Sequence, residues 1–196
     1  MKRIATTAAM AIAIATTGLI ASGDQGPRKF REVLSGLKEA PAIVATSGTG
    51  TFKATLNKDG SEIDYELTFN DLESNITQAH IHIGYPQNSG GVVLWLCDSP
   101  STVPPAPPSP ASPFASTPLC TPPGSANGMN GVVTGTLTQA EVVTLVGNGS
   151  PTWDEVVSLI RDGRTYVNIH TATIPAGEIR SQIDSHDGHS GHGGRH

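Results

Sequence analysis

The chain has 196 residues, with 12 lysine or arginine against 17 aspartate or glutamate residues and a formal net charge of −5. This acidic balance excludes the broad basic surface that binding to a phosphate backbone requires, so we expect no nucleic-acid partner. The length suits one domain with tails.

The first 23 residues have the pattern of a secretory signal peptide. Lys2 and Arg3 precede an uncharged run over residues 4–20, and the small residues 21–23 offer a cleavage site. A retained N-terminal anchor is the alternative, because the run of 17 residues is at the lower limit for a membrane span. We expect cleavage after residue 23 and a secreted protein, periplasmic or extracellular. The rest of the chain then has 10 basic and 17 acidic residues, a formal charge of −7, and no membrane span.

Short segments that alternate between apolar and polar residues, separated by turn signals, predict β-strands along most of the chain. A strong turn signal at residues 57–60 joins two of them into a hairpin. The segment 91–96 is instead a continuous apolar run, which is typical of a strand buried on both faces. The predicted strands are 30–37, 48–56, 62–69, 79–84, 91–96, 132–137, 165–170 and 178–183.

Two capping boxes predict short helices between the last strands. The first, Thr138 to Glu141, precedes the apolar run 142–146, and Gly147 would end that helix. The second begins at Thr152, and an apolar stripe at helical spacing follows it up to Gly163. Many short strands with one or two helical inserts predict an all-β fold, a β-sandwich or barrel.

Cys97 and Cys120 are the only cysteines of the chain. In an exported protein a lone pair is most simply a disulfide bond, which we predict here. Two free thiols that bind a soft metal are the alternative, although close ligand spacing is lacking. The segment 98–125 is a Pro-rich insertion, since ten of the 15 prolines lie between Pro100 and Pro123, and we expect it to be extended.

Three histidines lie in two of the predicted strands. Because side chains alternate across a strand, His80 and His82 share one face, and His170 shares a face with Tyr166 and Asn168. If the two strands are neighbours, the three imidazoles converge, and neutral imidazole is a preferred ligand of copper and zinc. The alternative is that they are polar residues on the wetter face of a half-buried sheet.

The C-terminal segment 184–196 contains no apolar residue, so we predict a disordered tail rich in histidine and glycine. Its histidines are close enough in sequence to chelate a metal ion loosely, or they are merely polar. They are His186, His189, His192 and His196.

Four motifs in one order give the chain a resemblance to a known family. They lie at residues 34–41, 79–82, 166–171 and 175–182, and the likeness runs from about Phe30 to Ile183. In these motifs the sequence resembles the CHRD family, the domain named after chordin and abundant in secreted microbial proteins. The resemblance implies an immunoglobulin-like all-β domain over residues 24–183, used as an extracellular module, in chordin within a growth-factor antagonist. It implies no known enzyme activity.

The family's characteristic residues map onto both histidine strands and onto the last strand. The His-x-His motif falls on His80 and His82, and the later strand histidine on His170. The Gly-Glu-Ile-Arg motif begins at Gly177 and places Glu178 and Arg180 on one face. Glu178, or Asp71, is a candidate to orient a metal ligand, and a structural salt bridge between Glu178 and Arg180 is the alternative. The Pro-rich insertion and the second capping box depart from the family pattern.

Two classes of function follow. The first is a secreted binding module for an extracellular protein, non-enzymatic and with a three-histidine metal site at His80, His82 and His170. The second is a copper- or zinc-dependent protein, either a copper carrier or a redox enzyme similar in architecture alone to copper-zinc superoxide dismutase. The motifs of serine hydrolases, HExxH zinc proteases and phosphate-binding loops are absent from the sequence.

Overall fold

The computed structural model describes residues 28–99, 112–121, 128–144 and 149–184. The predicted signal peptide, 1–23, lies outside the described residues. So do residues 100–111 and 122–127 of the Pro-rich insertion and residues 185–196 of the predicted tail.

The described residues form one antiparallel sheet of eight strands, which confirms the predicted all-β fold. The strands are β1 (Arg28–Ser35), β2 (Thr49–Leu56), β3 (Ile63–Asn70), β4 (Ile76–Ile83), β5 (Val92–Asp98), β6 (Gly131–Leu137), β7 (Thr165–Thr171) and β8 (Ile179–Ile183). One α-helix, α1 (Trp153–Arg161), and two single 3-10 turns, Gly36–Lys38 and Gln139–Glu141, accompany the sheet. Along the sheet the strands run in the order β5-β4-β7-β8-β1-β2-β3-β6.

The sheet curls so that its two edge strands, β5 and β6, contact each other and form a near-closed barrel. The hydroxyl of Tyr65 on β3 donates a hydrogen bond to the carbonyl oxygen of Leu96 on β5, 2.5 Å away. The segment after β6 adds backbone pairing, since the amide of Val143 donates to the carbonyl of Val93. Backbone groups at the edge of β5 are thereby paired instead of exposed.

The barrel interior is filled by the apolar residues of the alternating pattern. On β2, for example, Phe52, Ala54 and Leu56 are buried, while Lys53 between them is exposed. The same period places Ala79 and Ile81 of β4 in this core, together with the inward residues of the other strands. His80 and His82 therefore lie on the opposite face of β4, outside the core.

The two capping boxes have different outcomes. At Thr152 the hydroxyl accepts from the amide of Glu155 and the Glu155 carboxylate accepts from the amide of Thr152, and α1 follows as predicted. At Thr138 the same box forms, but only one 3-10 turn follows it. The helix predicted over 142–146 is wrong for its described residues, because Val142 forms a β-bridge with Leu94 at the edge of β5. Residues 145–148 lie outside the description.

Cys97 and Cys120 form the predicted disulfide bond, and both residues are fully buried. Cys97 lies near the end of β5, where the segment around Cys120 pairs with it. Asp98 forms a parallel bridge with Leu119, and the amide of Cys120 donates to the carbonyl of Asp98. The bond therefore closes the segment 98–119, the larger part of the Pro-rich insertion, at the end of β5.

Replacing both Cys97 and Cys120 with alanine should lower the free energy of unfolding by roughly 3 kcal/mol. A disulfide restricts the unfolded chain, and closing a loop of 23 residues is worth about that much on the chain-entropy model. Urea denaturation of the two proteins measures the difference. An unchanged denaturation midpoint would show that the bond contributes nothing to stability.

No helix among the described residues has the length and apolar character needed to cross a bilayer.

Candidate metal centre

The three strand histidines meet on the outer face of two neighbouring strands. β4 and β7 pair antiparallel, with His80 opposite Asn168 and His82 opposite Tyr166. His170 stands opposite Gln78, one side-chain position along the same face. The pairing of these two distant segments therefore places all three imidazoles together.

The rings are close enough to share one ion. Ring centroids are 5.4 Å apart for His80 and His82, 5.0 Å for His80 and His170, and 5.8 Å for His82 and His170. One nitrogen of each ring lies within 4.8 Å of the corresponding nitrogens of the other two. His80 and His82 are buried, 4% and 7% exposed, while His170 is half-buried.

Backbone carbonyls fix two of the three rings. The Nδ1 of His82 lies 3.0 Å from the carbonyl oxygen of Gly90, and the Nδ1 of His170 lies 3.0 Å from that of Pro175. A carbonyl oxygen only accepts hydrogen bonds, so both Nδ1 atoms must carry the proton. The neutral rings then have their lone pair at Nε2, which is the form that ligates a metal.

Among the described residues, the ring nitrogens that remain are buried without hydrogen-bond partners. This holds for Nε2 of His82 and His170 and for both nitrogens of His80. Buried polar groups are almost always paired, and each exception needs an explanation such as an ion or an ordered water. Four such atoms lie together in this one cluster.

Aromatic side chains form the walls of the cluster. The indole of Trp95, on β5 opposite His80, meets that ring edge-on with centroids 4.2 Å apart. The ring of Tyr166 stacks on His82 with centroids 4.8 Å apart and planes 3° from parallel. The guanidinium of Arg180 covers the other face of Tyr166, with Cζ 3.4 Å from the ring centroid. A cation thus lies one aromatic ring away from His82.

Gly90 forms hydrogen bonds with both a wall residue and a candidate ligand of the cluster. Its carbonyl accepts from His82, and its amide donates to the hydroxyl of Tyr166. The loop that carries it is also held by Arg180, whose Nη2 donates to the carbonyls of Tyr85 and Asn88. A side chain at position 90 would overlap the carbonyl oxygen of Ile83, so only glycine lets the loop approach this closely.

Burial lowers the pKa of each histidine in the cluster. Desolvation disfavours the imidazolium form and lowers the pKa of His82 to about 4 and that of His80 well below its usual value. The pKa of His170 is lowered by the same cause, although the Pro175 carbonyl opposes the shift. All three rings are therefore neutral at pH 7 and able to act as ligands.

The candidate residue Glu178 lies immediately before β8, and its carboxylate has partners outside the histidine cluster. Its carboxylate accepts from the hydroxyls of Thr46 and Thr171 and from the amide of Glu73. These contacts join loops at the end of the sheet, and none of them reaches a histidine ring. Asp71, the other candidate, is an exposed turn residue with a positive φ of 53°.

Arg180 and Glu178 also have different partners. Arg180 is 1% exposed and contacts Tyr166 and the β4–β5 loop, and the carboxylate that acts on it is Glu39. Burial raises the pKa of Glu39 to about 7, against the opposing effect of Arg180. Among the described contacts, Glu178 and Arg180 therefore do not form the salt bridge that was the alternative interpretation. Each residue has its own separate partners.

Sequence reasoning missed the groups that orient the ligands. Gly90 and Pro175 act through backbone carbonyls, which leave no signal in side-chain chemistry. Trp95 reads as core because it lies in an apolar run, yet it faces the cluster. Tyr166 is the exception, since its alternation with His170 already placed it on the ligand face.

Comparison with known proteins gives one match. The family model for the CHRD domain matches residues 30–183, which is most of the chain and the whole of the sheet except the first residues of β1. No curated protein and no solved structure matches the chain.

Proposed function

The chain belongs to the CHRD domain family, and on that premise we propose that it is an exported binding module that holds one copper or zinc ion. The ligands are the Nε2 atoms of His80, His82 and His170. The signal-like N-terminus and the Cys97–Cys120 disulfide support export, because disulfides persist in oxidising compartments.

One observation carries the proposal: a ring nitrogen of each histidine lies within 4.8 Å of the other two, and the Nε2 atoms of all three are buried with no hydrogen-bond partner among the described residues. Histidines that are merely polar strand residues would face water or donate to protein groups. Here the two oriented rings use Nδ1 for the backbone and leave Nε2 free. Without a metal ion, the unpaired Nε2 atoms destabilise the native state, whereas a bound ion forms a strong interaction with each of them.

The spacing requires a small closure of the cluster on binding. Metal–nitrogen bonds of about 2.0–2.1 Å place the donor atoms of a three- or four-coordinate ion roughly 3.4 Å apart. The donor atoms here lie within 4.8 Å of one another. Rotations of the side chains draw them together without moving the strands, whose register fixes the three Cα positions.

The burial of the cluster favours holding an ion over turnover at it. A redox enzyme needs an open coordination position that its substrate can reach. His80 and His82 are buried behind Trp95 and Tyr166, and only His170 is partly exposed. A carrier or a structural ion is the better match to this arrangement, and the copper-zinc enzyme stays the second candidate.

A variant with all four tail histidines replaced by asparagine should retain one equivalent of copper or zinc. This tail variant changes His186, His189, His192 and His196, so the only histidines left are the three of the cluster. Isothermal titration and elemental analysis of the purified protein measure the stoichiometry. Nuclear magnetic resonance of the three imidazoles should show all of them shifted together by the first equivalent.

Loss of all binding in the tail variant would contradict the proposal. The metal would then belong to the tail, and the domain would be a binding module without an ordered ion site. Unmodified protein is the control, and any equivalents above one in it are assigned to the tail.

A further inference from the structure

We propose that the three-histidine site selects monovalent copper over divalent ions such as Zn(II). The inference rests on the proposed function and names the ion that the same site takes. Three properties of the described residues support it: the charge of the donor set, the burial of the site and the sign of the nearest fixed charge.

The donor set carries no negative charge. Within the part of the chain that the structure describes, the cluster contains three histidines and no aspartate, glutamate or thiolate. Both cysteines are in the disulfide, and the carboxylate of Glu178 is engaged by two threonine hydroxyls and a backbone amide. An ion bound here keeps its full formal charge, since neutral imidazoles neutralise none of it.

Burial makes that charge costly. The cost of moving an ion out of water rises with the square of its charge, so a divalent ion loses far more than a monovalent one. Trp95 and Tyr166 pack against His80 and His82 and leave less space for the water that Zn(II) would use to complete a tetrahedral shell. Cu(I), with a filled d shell, is stable with three nitrogen ligands alone.

Among the described residues, the charge that packs against the wall of the cluster is positive. Arg180 is buried, stacks on Tyr166 and thereby lies one ring away from His82. The field of this cation disfavours each additional positive charge on a bound ion.

The test compares ions of equal electronic structure in the tail variant. Cu(I) and Zn(II) both have a filled d shell, so ligand-field effects do not enter the comparison. Under anaerobic conditions with excess reductant, competition against a colorimetric Cu(I) chelator gives the Cu(I) affinity, and competition against a zinc indicator gives that of Zn(II). Ag(I) serves as a monovalent probe that needs no reductant.

We expect one equivalent of Cu(I) and of Ag(I), and a Cu(I) affinity at least roughly 100-fold above that of Zn(II). Removing the buried charge with Arg180→Gln should shift this ratio about tenfold towards Zn(II). Arg164→Gln is the matched control, because Arg164 also stacks on a tyrosine, Tyr85, but lies exposed on the surface. The ratio of Cu(I) affinity to Zn(II) affinity should be unchanged in Arg164→Gln.

The outcomes separate the two proposals. Zn(II) binding as tightly as Cu(I) through the three histidines would overturn the selectivity and leave the proposed function standing. Absence of binding by every ion in the tail variant would overturn the proposed function itself. If Arg180→Gln fails to fold, the ratio measured in the unsubstituted cluster still decides the inference, because it needs no variant at position 180.

Discussion

His80→Leu should abolish metal binding and, in the metal-free protein, raise the free energy of unfolding. His80 is 4% exposed and neither of its ring nitrogens has a partner. A buried polar group without a partner costs about 1–3 kcal/mol, and leucine fills a similar volume without polar atoms. We therefore expect a gain of roughly 1–2 kcal/mol together with at least a 100-fold loss of metal affinity.

The two effects are measured separately. Urea denaturation in the presence of a chelator gives the stability of the metal-free protein, and titration of the tail variant gives the affinity. If the variant is less stable and still binds metal, His80 is a structural residue. Its ring nitrogens would then have hydrogen-bond partners outside the described contacts.

His170→Leu is the matched control for this prediction. It removes a second ligand, so metal binding should be lost as well. It also removes the hydrogen bond from Nδ1 to the Pro175 carbonyl, so it should bring no gain in stability. If stability rises in His80→Leu alone, the His170 ring contributes a hydrogen bond to the metal-free fold, whereas the His80 ring serves only to bind the ion.

The metal-free protein should lose stability as the pH falls from 6.5 towards 4. When folding lowers the pKa of a histidine, the native state has its full stability at a pH above the pKa of that histidine in the unfolded chain, which is about 6.5. Below that value the histidine is protonated in the unfolded chain but not in the native protein. The native state therefore loses stability until the pH reaches the native pKa. For His82, with a pKa of about 4, the loss amounts to roughly 3 kcal/mol.

His80 and His170 add to the loss, since burial lowers the pKa of both. Unfolding free energies measured with chelator at pH 7.5, 6, 5 and 4.5 test the trend. His80→Leu should flatten the curve, because one titrating ring is gone. A stability that is constant over this range would mean that the rings are solvated and their pKa values ordinary.

Glu39 provides a control of opposite sign. Burial raises its pKa to about 7, so its protonated form is favoured in the native state and its contribution is lost as the pH rises from about 4.5 through 7. Glu39→Gln should therefore stabilise the protein at pH 8 and have little effect at pH 4.5. The same urea series run on this variant separates the carboxyl from the histidines.

Local patterns predicted most of the sheet. Strict alternation identified β3, and the turn at residues 57–60 joined it correctly to β2, because both depend on neighbours a few residues away. The continuous apolar run identified β5. The failure at 142–146 has a tertiary cause. A capping box and an apolar run favour a helix locally, but the open edge of β5 offers Val142 and Val143 backbone partners that no nearby residue could reveal.

The candidate site divides in the same way. Alternation placed His80 and His82 on one face and His170 beside Tyr166, and the family resemblance singled out the same residues. Glu178 was the candidate orienting group, and the structure assigns that contact to the carbonyls of Gly90 and Pro175 instead. A backbone carbonyl is present at every residue, so only the loop path decides which one meets a ring.

The sequence by itself determined the all-β fold, the cysteine pair and the residue types that meet at the cluster, since these depend on side-chain period and chemistry. Tertiary structure alone decided that β4 and β7 are neighbours, because strand pairing joins segments some 90 residues apart. It also decided the charge and burial around the ligands. Arg180 reaches His82 through a stacked tyrosine from another strand, and that electrostatic environment exists only once the strands have paired.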